Sequence, residues 1–129
     1  DTPANALYIT VAGDWRNPKN DLLWQGVSGI NNPCPSGFRL PTQAEIAAEF
    51  TENNITNKAT AYSSIFKFPC NYITRAPTTG SMLLSTVSFY WTSTTTANGS
   101  IAYGFGDTFA VSNNNLIRAA ANNVRCIQN

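Results

Sequence analysis

The stretch Asn32-Pro33-Cys34-Pro35-Ser36-Gly37-Phe38-Arg39-Leu40-Pro41-Thr42 decides the architecture of this chain, together with Val124-Arg125-Cys126 near the C-terminus. Prolines stiffen the first stretch around its cysteine. The second stretch has the β-branched and alternating character of a strand. This pattern indicates a late strand joined to an early loop by a disulfide, and therefore an oxidising compartment.

The odd number of cysteines limits the possible disulfide pairings. Three cysteines leave one unpaired in any intramolecular scheme. Cys34 and Cys126 are the better pair. Cys70 ends the apolar run 66–70, where a free thiol behaves as a small hydrophobe. We predict a Cys34–Cys126 disulfide and a buried free thiol at Cys70.

The composition describes one domain over residues 1–129 with an unusually neutral surface. Hydrophobic residues make up 43% of the chain, which excludes disorder. Charged residues make up only 12%, and sixteen Asn and fifteen Thr take their place. Such a surface suits an extracellular protein that meets neutral glycans or peptides. A secreted, loop-rich domain without a special ligand is the plainer alternative.

Several function classes are excluded by what the chain lacks. The net charge is +1 with no basic run, so nucleic-acid binding by phosphate neutralisation is not expected. No apolar stretch approaches the roughly eighteen residues that cross a bilayer, so membrane insertion is not expected. The chain has no His, which removes His-based triads and zinc sites. The acidic residues show no paired-carboxylate spacing.

The chain divides into an early helical part and a late β part, which predicts an α+β domain. Thr42-Gln43-Ala44-Glu45 is a capping box that begins the main helix, over about 42–54. Asn17-Pro18 predicts a short early helix that ends at Gly26. The predicted strands, separated by turn signals, are 7–11, 65–68, 71–74, 82–86, 89–93, 101–105, 109–111 and 124–127.

Many of these motifs occur together, in this order, in one known family. The chain resembles the Fibrobacter succinogenes major paralogous domain family from about Tyr8 onward. The matching residues are Asp14-Trp15, the run 20–27, the run 29–42, Glu45, Phe89-Tyr90-Trp91-Thr92-Ser93-Thr94, Arg118-Ala119 and Val124-Arg125-Cys126.

The resemblance implies a C-type-lectin-like fold in a bacterial surface or secreted protein, with twisted antiparallel strands and long loops. Relatives with this fold include adhesin tips and proteins that display binding residues on their C-terminal part. The family pattern also supports the cysteine pairing. The family's upstream segment is not found here, which leads us to expect that its first strand is absent, replaced or supplied by a partner chain.

The late loops carry the predicted ligand site. Amides, hydroxyls and one Tyr on a rigid scaffold suit sugars or peptide backbones. The candidate ligand-binding residues are Asn98, Tyr103, Asp107, Asn113, Asn114, Asn115 and Arg118. The alternative is a set of polar hairpin turns, and Arg118 can already be paired within the fold. No metal ligand set is evident, although Asp14 or Asp21 with backbone carbonyls would suit a calcium ion.

The sequence therefore predicts a non-enzymatic recognition module at a bacterial cell surface, which binds a glycan or an exposed peptide. A structural or assembly domain at the tip of an oligomeric surface fibre is the alternative, and a homo-oligomer would fit it. An enzyme related to the formylglycine-generating enzymes shares the fold, but no reactive cysteine pair is evident.

Overall fold

The computed structural model describes residues 13–76 and 78–129, with 111–113 described by their backbone alone. The predicted strand 7–11 lies outside the described residues. Within them the α+β class is confirmed, with two helices and several short antiparallel sheets. The elements in chain order are β1 Phe38–Arg39, α1 Gln43–Glu52, α2 Lys58–Ser63, β2 Ile73–Arg75, β3 Met82–Leu84, β4 Ser88–Thr95, β5 Ser100–Phe105, β6 Ala110–Leu116 and β7 Ile127–Gln128.

Helix α1 begins where the capping box predicts it. The Thr42 hydroxyl accepts from the Glu45 backbone N–H, and the Glu45 carboxylate accepts from the Thr42 N–H at 2.7 Å. The Gln43 N–H donates to the Thr94 hydroxyl at 2.9 Å, which joins the helix start to β4. The helix ends at Glu52 with Asn53 as its C-cap, so the predicted range of about 42–54 is confirmed.

The described strands form three small sheets, of which the β4-β5-β6 sheet contacts α1. The largest has the order β4-β5-β6, and the β1–β7 and β2–β3 pairs are two-stranded. One face of the β4-β5-β6 sheet packs on α1 through a buried cluster that includes Ile46, Phe68 and Phe105. The other face carries a second cluster, with Leu40 and Trp91. The helix and the three-stranded sheet therefore form the rigid centre of the domain.

The Cys34–Cys126 disulfide is present and closes the chain on itself. The two Cα atoms are 5.7 Å apart, beside the β1–β7 pair in which Arg39 faces Ile127. Cys70 is free, as predicted. It is partly buried and packs against the main core cluster, but the run before it does not form a strand.

Three local predictions are wrong. Of the predicted strand 124–127, only Ile127 pairs with β1, because the Asn123 backbone bonds to β4 and residues 124–126 then lead to β1 without a strand partner. The segment after Asn17-Pro18 forms turns instead of a short early helix, because the Asn20 side chain accepts from the Leu22 N–H at 2.9 Å and competes with a helical bond. Residues 65–68 form a loop instead of a strand. The helix that precedes this loop, α2, was missed although Asn57 and Thr60 form a second capping box.

The pH dependence of stability tests the contact between Arg39 and Glu45. Two hydrogen bonds of 2.6 and 2.8 Å join the guanidinium to the carboxylate, and they lower the pKa of Glu45 to about 2. Because the folded pKa lies below the unfolded one, this stabilisation is complete above about pH 5 and is lost as the pH falls towards 2. The Glu45 side chain is 37% exposed, so we expect screening to leave about 1–2 kcal/mol.

Urea unfolding at pH 7 and pH 3 measures this loss. In Glu45→Gln the side chain can still complete a capping box, but it carries no charge. We therefore expect the variant to lose less stability than the native chain between the two pH values. Equal losses in both proteins would show that another group causes the acid sensitivity.

Candidate functional site

The predicted ligand residues do not lie on one surface. Asn98 precedes β5 and Asp107 follows it, so the two lie at opposite ends of the central strand. A six-residue strand spans about 20 Å, beyond the reach of one shallow sugar site. The expectation of a single face made by the late loops is therefore corrected.

Tyr103 lies in the core instead of forming an exposed aromatic plate. Only 4% of the residue is exposed, and its ring contacts Phe50 of α1 with the ring centroids 5.1 Å apart. Burial raises the pKa of its hydroxyl. Phe105, two residues along the same strand face, is fully buried. The face of β5 that carries Tyr103 is therefore the face that α1 covers.

Arg118 is held within the fold. Its side chain is 11% exposed and forms ion pairs with Asp14 at 3.0 Å and with Asp21. The same guanidinium donates to the backbone carbonyls of Gly99 at 3.1 Å and Thr96 at 3.3 Å. These four partners join the early chain to the β4–β5 turn. Arg118 is therefore a structural clamp and does not project as an anchor for a ligand carboxylate.

Because both Asp14 and Asp21 are ion-paired with Arg118, neither carboxylate is free to bind a calcium ion as the sequence suggested. Hydrogen bonds from Arg118 and then from Lys19 lower the pKa of Asp21, so its charge is already matched by cations. The Lys19 ammonium also donates to the Ala97 carbonyl at 2.9 Å. In the described part of the chain, no group of three or more acidic, His or Cys residues could hold a metal ion.

The predicted amides divide between two faces of β6. Asn114 pairs with Ala102 and Asn115 pairs with Ile101, so their side chains leave opposite sides of the sheet. The Asn115 side-chain oxygen accepts from the Thr96 hydroxyl at 2.8 Å. Asn98 lies exposed in the β4–β5 turn, as its Asn-Gly motif predicts. The side chain of Asn113 lies outside the described residues.

Asp107 belongs to a different polar group, at the other end of β5. It forms an ion pair with Lys58, and its carboxylate accepts from the Tyr72 hydroxyl at 2.7 Å. The hydrogen bond from Lys58 lowers the pKa of Asp107, and the same contact raises the pKa of Lys58. Hydrogen bonds with Cys70 and then with Asp107 raise the pKa of Tyr72. The side chain of Asp107 is 64% exposed and that of Lys58 is 50% exposed, so this group is open to solvent.

An open cavity of about 450 Å³ lies between α1 and the β5–β6 strands. Its lining combines aromatic and aliphatic surface with the hydroxyls of two threonines and one tyrosine, and it contains no charged side chain. The lining residues are Ala47, Phe50, Thr51, Ile55, Thr56, Tyr103 and Ala110. Of the residues predicted from the sequence, this site contains Tyr103.

One stripe of α1 already indicates this cavity in the sequence. Ala47, Phe50 and Thr51 are spaced three and four residues apart, so they share one helix face. A small residue beside a large aromatic one on a core-facing stripe leaves space, and Thr51 brings a hydroxyl to its edge. Only the packing of this stripe against β5 and β6 turns that space into a cavity.

Comparison of the chain with protein-family models, with curated proteins and with solved structures finds no match. The resemblance described above, and the fold and function that it implies, therefore stay predictions. Within residues 13–76 and 78–129, no helix is long and apolar enough to cross a membrane.

Proposed function

We propose that this domain is a non-enzymatic, C-type-lectin-like recognition module that binds an uncharged glycan or an exposed peptide in the cavity beside α1. The cavity carries the proposal. Its volume of about 450 Å³ lies within the range of sites that hold small ligands. The disulfide between an early loop and the C-terminal segment, with one main helix and small antiparallel sheets, supports the fold assignment.

The lining chemistry favours a neutral ligand. Phe50 offers partly exposed aromatic surface, on which the apolar face of a sugar or an aliphatic side chain can pack, whereas Tyr103 borders the cavity but is only 4% exposed. The Thr51 hydroxyl donates to the Ala47 carbonyl at 2.9 Å, so it can accept a hydrogen bond from a ligand, and the Thr56 hydroxyl can donate or accept one. A charged ligand would find no partner in the lining and would be desolvated at a cost.

The same lining favours recognition over catalysis. Hydroxyl and apolar groups supply neither an acid nor a base with a pKa near neutrality. The disulfide supports a place outside the cytoplasm, because such bonds persist in oxidising compartments. We expect a single open site to bind weakly, at about micromolar to millimolar concentrations, and several copies to supply useful adhesion.

Filling the cavity tests this function. Neutral-glycan and peptide arrays with the whole chain would first identify a ligand. Thr51 is exposed at the cavity edge, so Thr51→Arg should keep the fold and place a bulky cation over the site. We expect it to weaken binding at least tenfold, about 1.4 kcal/mol.

Thr79→Arg is the matched control, since it adds the same side chain at an exposed Thr that does not line the cavity. We expect this variant to bind like the native chain, with both variants folded by circular dichroism. Full binding by Thr51→Arg would place the ligand elsewhere. If instead Asp107→Ala abolished binding, the polar group at the far end of β5 would be the site.

A further inference from the structure

The β2–β3 hairpin presents apolar side chains to solvent. Leu84 is 91% exposed, Met82 60%, Leu83 45% and Ile73 44%. Ile73 faces Leu84 across the hairpin, and Arg75 faces Met82. Because side chains alternate along a strand, Ile73, Met82 and Leu84 share one face with Arg75, and Leu83 lies on the other. The hairpin thus carries apolar surface on both of its faces.

Among the described strands, β3 pairs with β2 alone, so no described strand pairs with the outer edge of β3. The Ser85 N–H donates to Tyr72 and the Ala76 N–H donates to Ser81, which sets the alternation of bonded pairs along the hairpin. By that alternation Leu83 bonds inward to β2, and the backbone N–H and C=O groups of Met82 and Leu84 point outward. Two residues therefore offer four backbone groups in the plane of the sheet.

The β3 strand itself carries no charged side chain. Natural edge strands are commonly guarded by charged residues or by proline. Residues 76–106 contain no charged side chain, and β3 itself contains no proline. The Arg75 guanidinium on the neighbouring strand is directed to the Gly80 carbonyl at 2.9 Å and to the Met82 sulfur at 3.5 Å. Nothing on β3 would repel an identical uncharged edge.

We propose that β3 is an interface for a second copy of this chain, which pairs antiparallel with it about a two-fold axis at Leu83. In this register Met82 of each copy lies opposite Leu84 of the other. Each of these two pairs exchanges two N–H···O bonds, so all four outward groups of each copy are satisfied. Leu83 meets its own counterpart in a pair without backbone hydrogen bonds.

The edge is self-complementary, which favours a second copy over an unrelated peptide. A two-fold interface requires that the same patch serve both partners. In the paired sheet, Ile73, Met82 and Leu84 of both copies would form one apolar strip, and the Leu83 pair would bury apolar surface on the opposite face. With a net charge of only +1, two copies meet little long-range repulsion.

The size of the contact sets its strength. A three-residue edge covers less than the roughly 800 Å² per partner of a standard interface, which makes it a weak interface. The dimer would therefore form at high local concentration, for example where many copies stand on one surface. This goes beyond the ligand-binding function proposed above and does not depend on it.

Sedimentation equilibrium over a wide range of protein concentrations tests the interface. We expect a monomer–dimer equilibrium in the native chain. Leu84→Lys changes a side chain that is 91% exposed, so the fold should survive, and the dissociation constant should rise about tenfold or more. Ile65→Lys is the matched control, because Ile65 is 74% exposed on the loop after α2 and should leave the equilibrium unchanged.

Paired substitutions test the register. Met82→Lys with Leu84→Lys places like charges opposite each other and should abolish the dimer. Met82→Glu with Leu84→Lys places opposite charges across the two-fold axis and should restore it. Leu83→Cys should form an intermolecular disulfide at residue 83 under mild oxidation, and Leu84→Cys should form much less.

Three outcomes would overturn the proposal. The first is a monomer at every concentration, and the second is a dimer that Leu84→Lys does not weaken. The third is a monomer that binds an extended apolar peptide in a manner that Leu84→Lys abolishes, which would assign the edge to a foreign strand.

Discussion

Replacing both Cys34 and Cys126 with Ser is expected to lower the free energy of unfolding by about 4–5 kcal/mol. The bond closes a loop with a sequence separation of 92 residues, which contains both helices and most of the strands. In the chain-entropy model, opening so long a loop gives the unfolded chain a large gain in conformational freedom. Because small domains are stable by only about 5–15 kcal/mol, the variant should be close to unfolding at 37 °C.

Urea unfolding of the native and doubly substituted chains measures this loss. Cys70→Ala is the matched control, since it removes the one cysteine that the bond does not use. We expect it to cost about 1 kcal/mol, because Cys70 is only partly buried against the core. If the double substitution cost no more than this control, the bond would not be holding the two ends of the loop.

Arg118→Ala is expected to cost about 3–4 kcal/mol of stability. Removing the guanidinium leaves Asp14, which is 20% exposed, without its cation. The carbonyls of Gly99 and Thr96 also lose their donor, at a turn where a Cβ on Gly99 would lie 2.2 Å from the Leu116 carbonyl oxygen. Because the Gly99 backbone already lies close to the Leu116 carbonyl, the turn has little room to rearrange when the Arg118 side chain is removed.

Thermal unfolding of two controls separates the clamp from a simple change in charge. Lys67→Ala removes one positive charge from an exposed residue and should change stability by less than about 0.5 kcal/mol. Arg118→Lys keeps the charge but cannot supply the five donors of a guanidinium, so it should lie between the native chain and Arg118→Ala. If Arg118→Lys were as stable as the native chain, charge alone would explain the contribution of Arg118.

Local chemistry explains what could be predicted. The capping box at Thr42 involves residues three apart, so the start of α1 follows from four consecutive residues. The same rule applied to Asn57 and Thr60 would have found α2. The error at residues 65–68 arose because two Phe side chains resemble a strand in propensity, whereas Phe68 enters the core from a loop.

The site could not be predicted in the same way, because its contacts join distant parts of the chain. Arg118 finds its carboxylates 97 and 104 residues away. The alternation in β5 places Tyr103 and Phe105 on one face, but it does not say which face α1 will cover. The cavity exists only because α1 packs on that face. The distance between Asn98 and Asp107 likewise follows from the fold, since the two residues lie at opposite ends of β5.

The sequence by itself determined the α+β class, the main helix, the strands β4 and β5, and the choice of Cys34 and Cys126 as the disulfide pair. These follow from periodicity, capping and cysteine context, which act over a few residues or through chemistry unique to one residue type. The tertiary structure alone decided that Arg118 is a clamp, that Tyr103 is core, and that no strand within residues 13–76 and 78–129 pairs with the outer edge of β3. Each depends on contacts between residues far apart in the sequence, which local periodicity and capping do not specify.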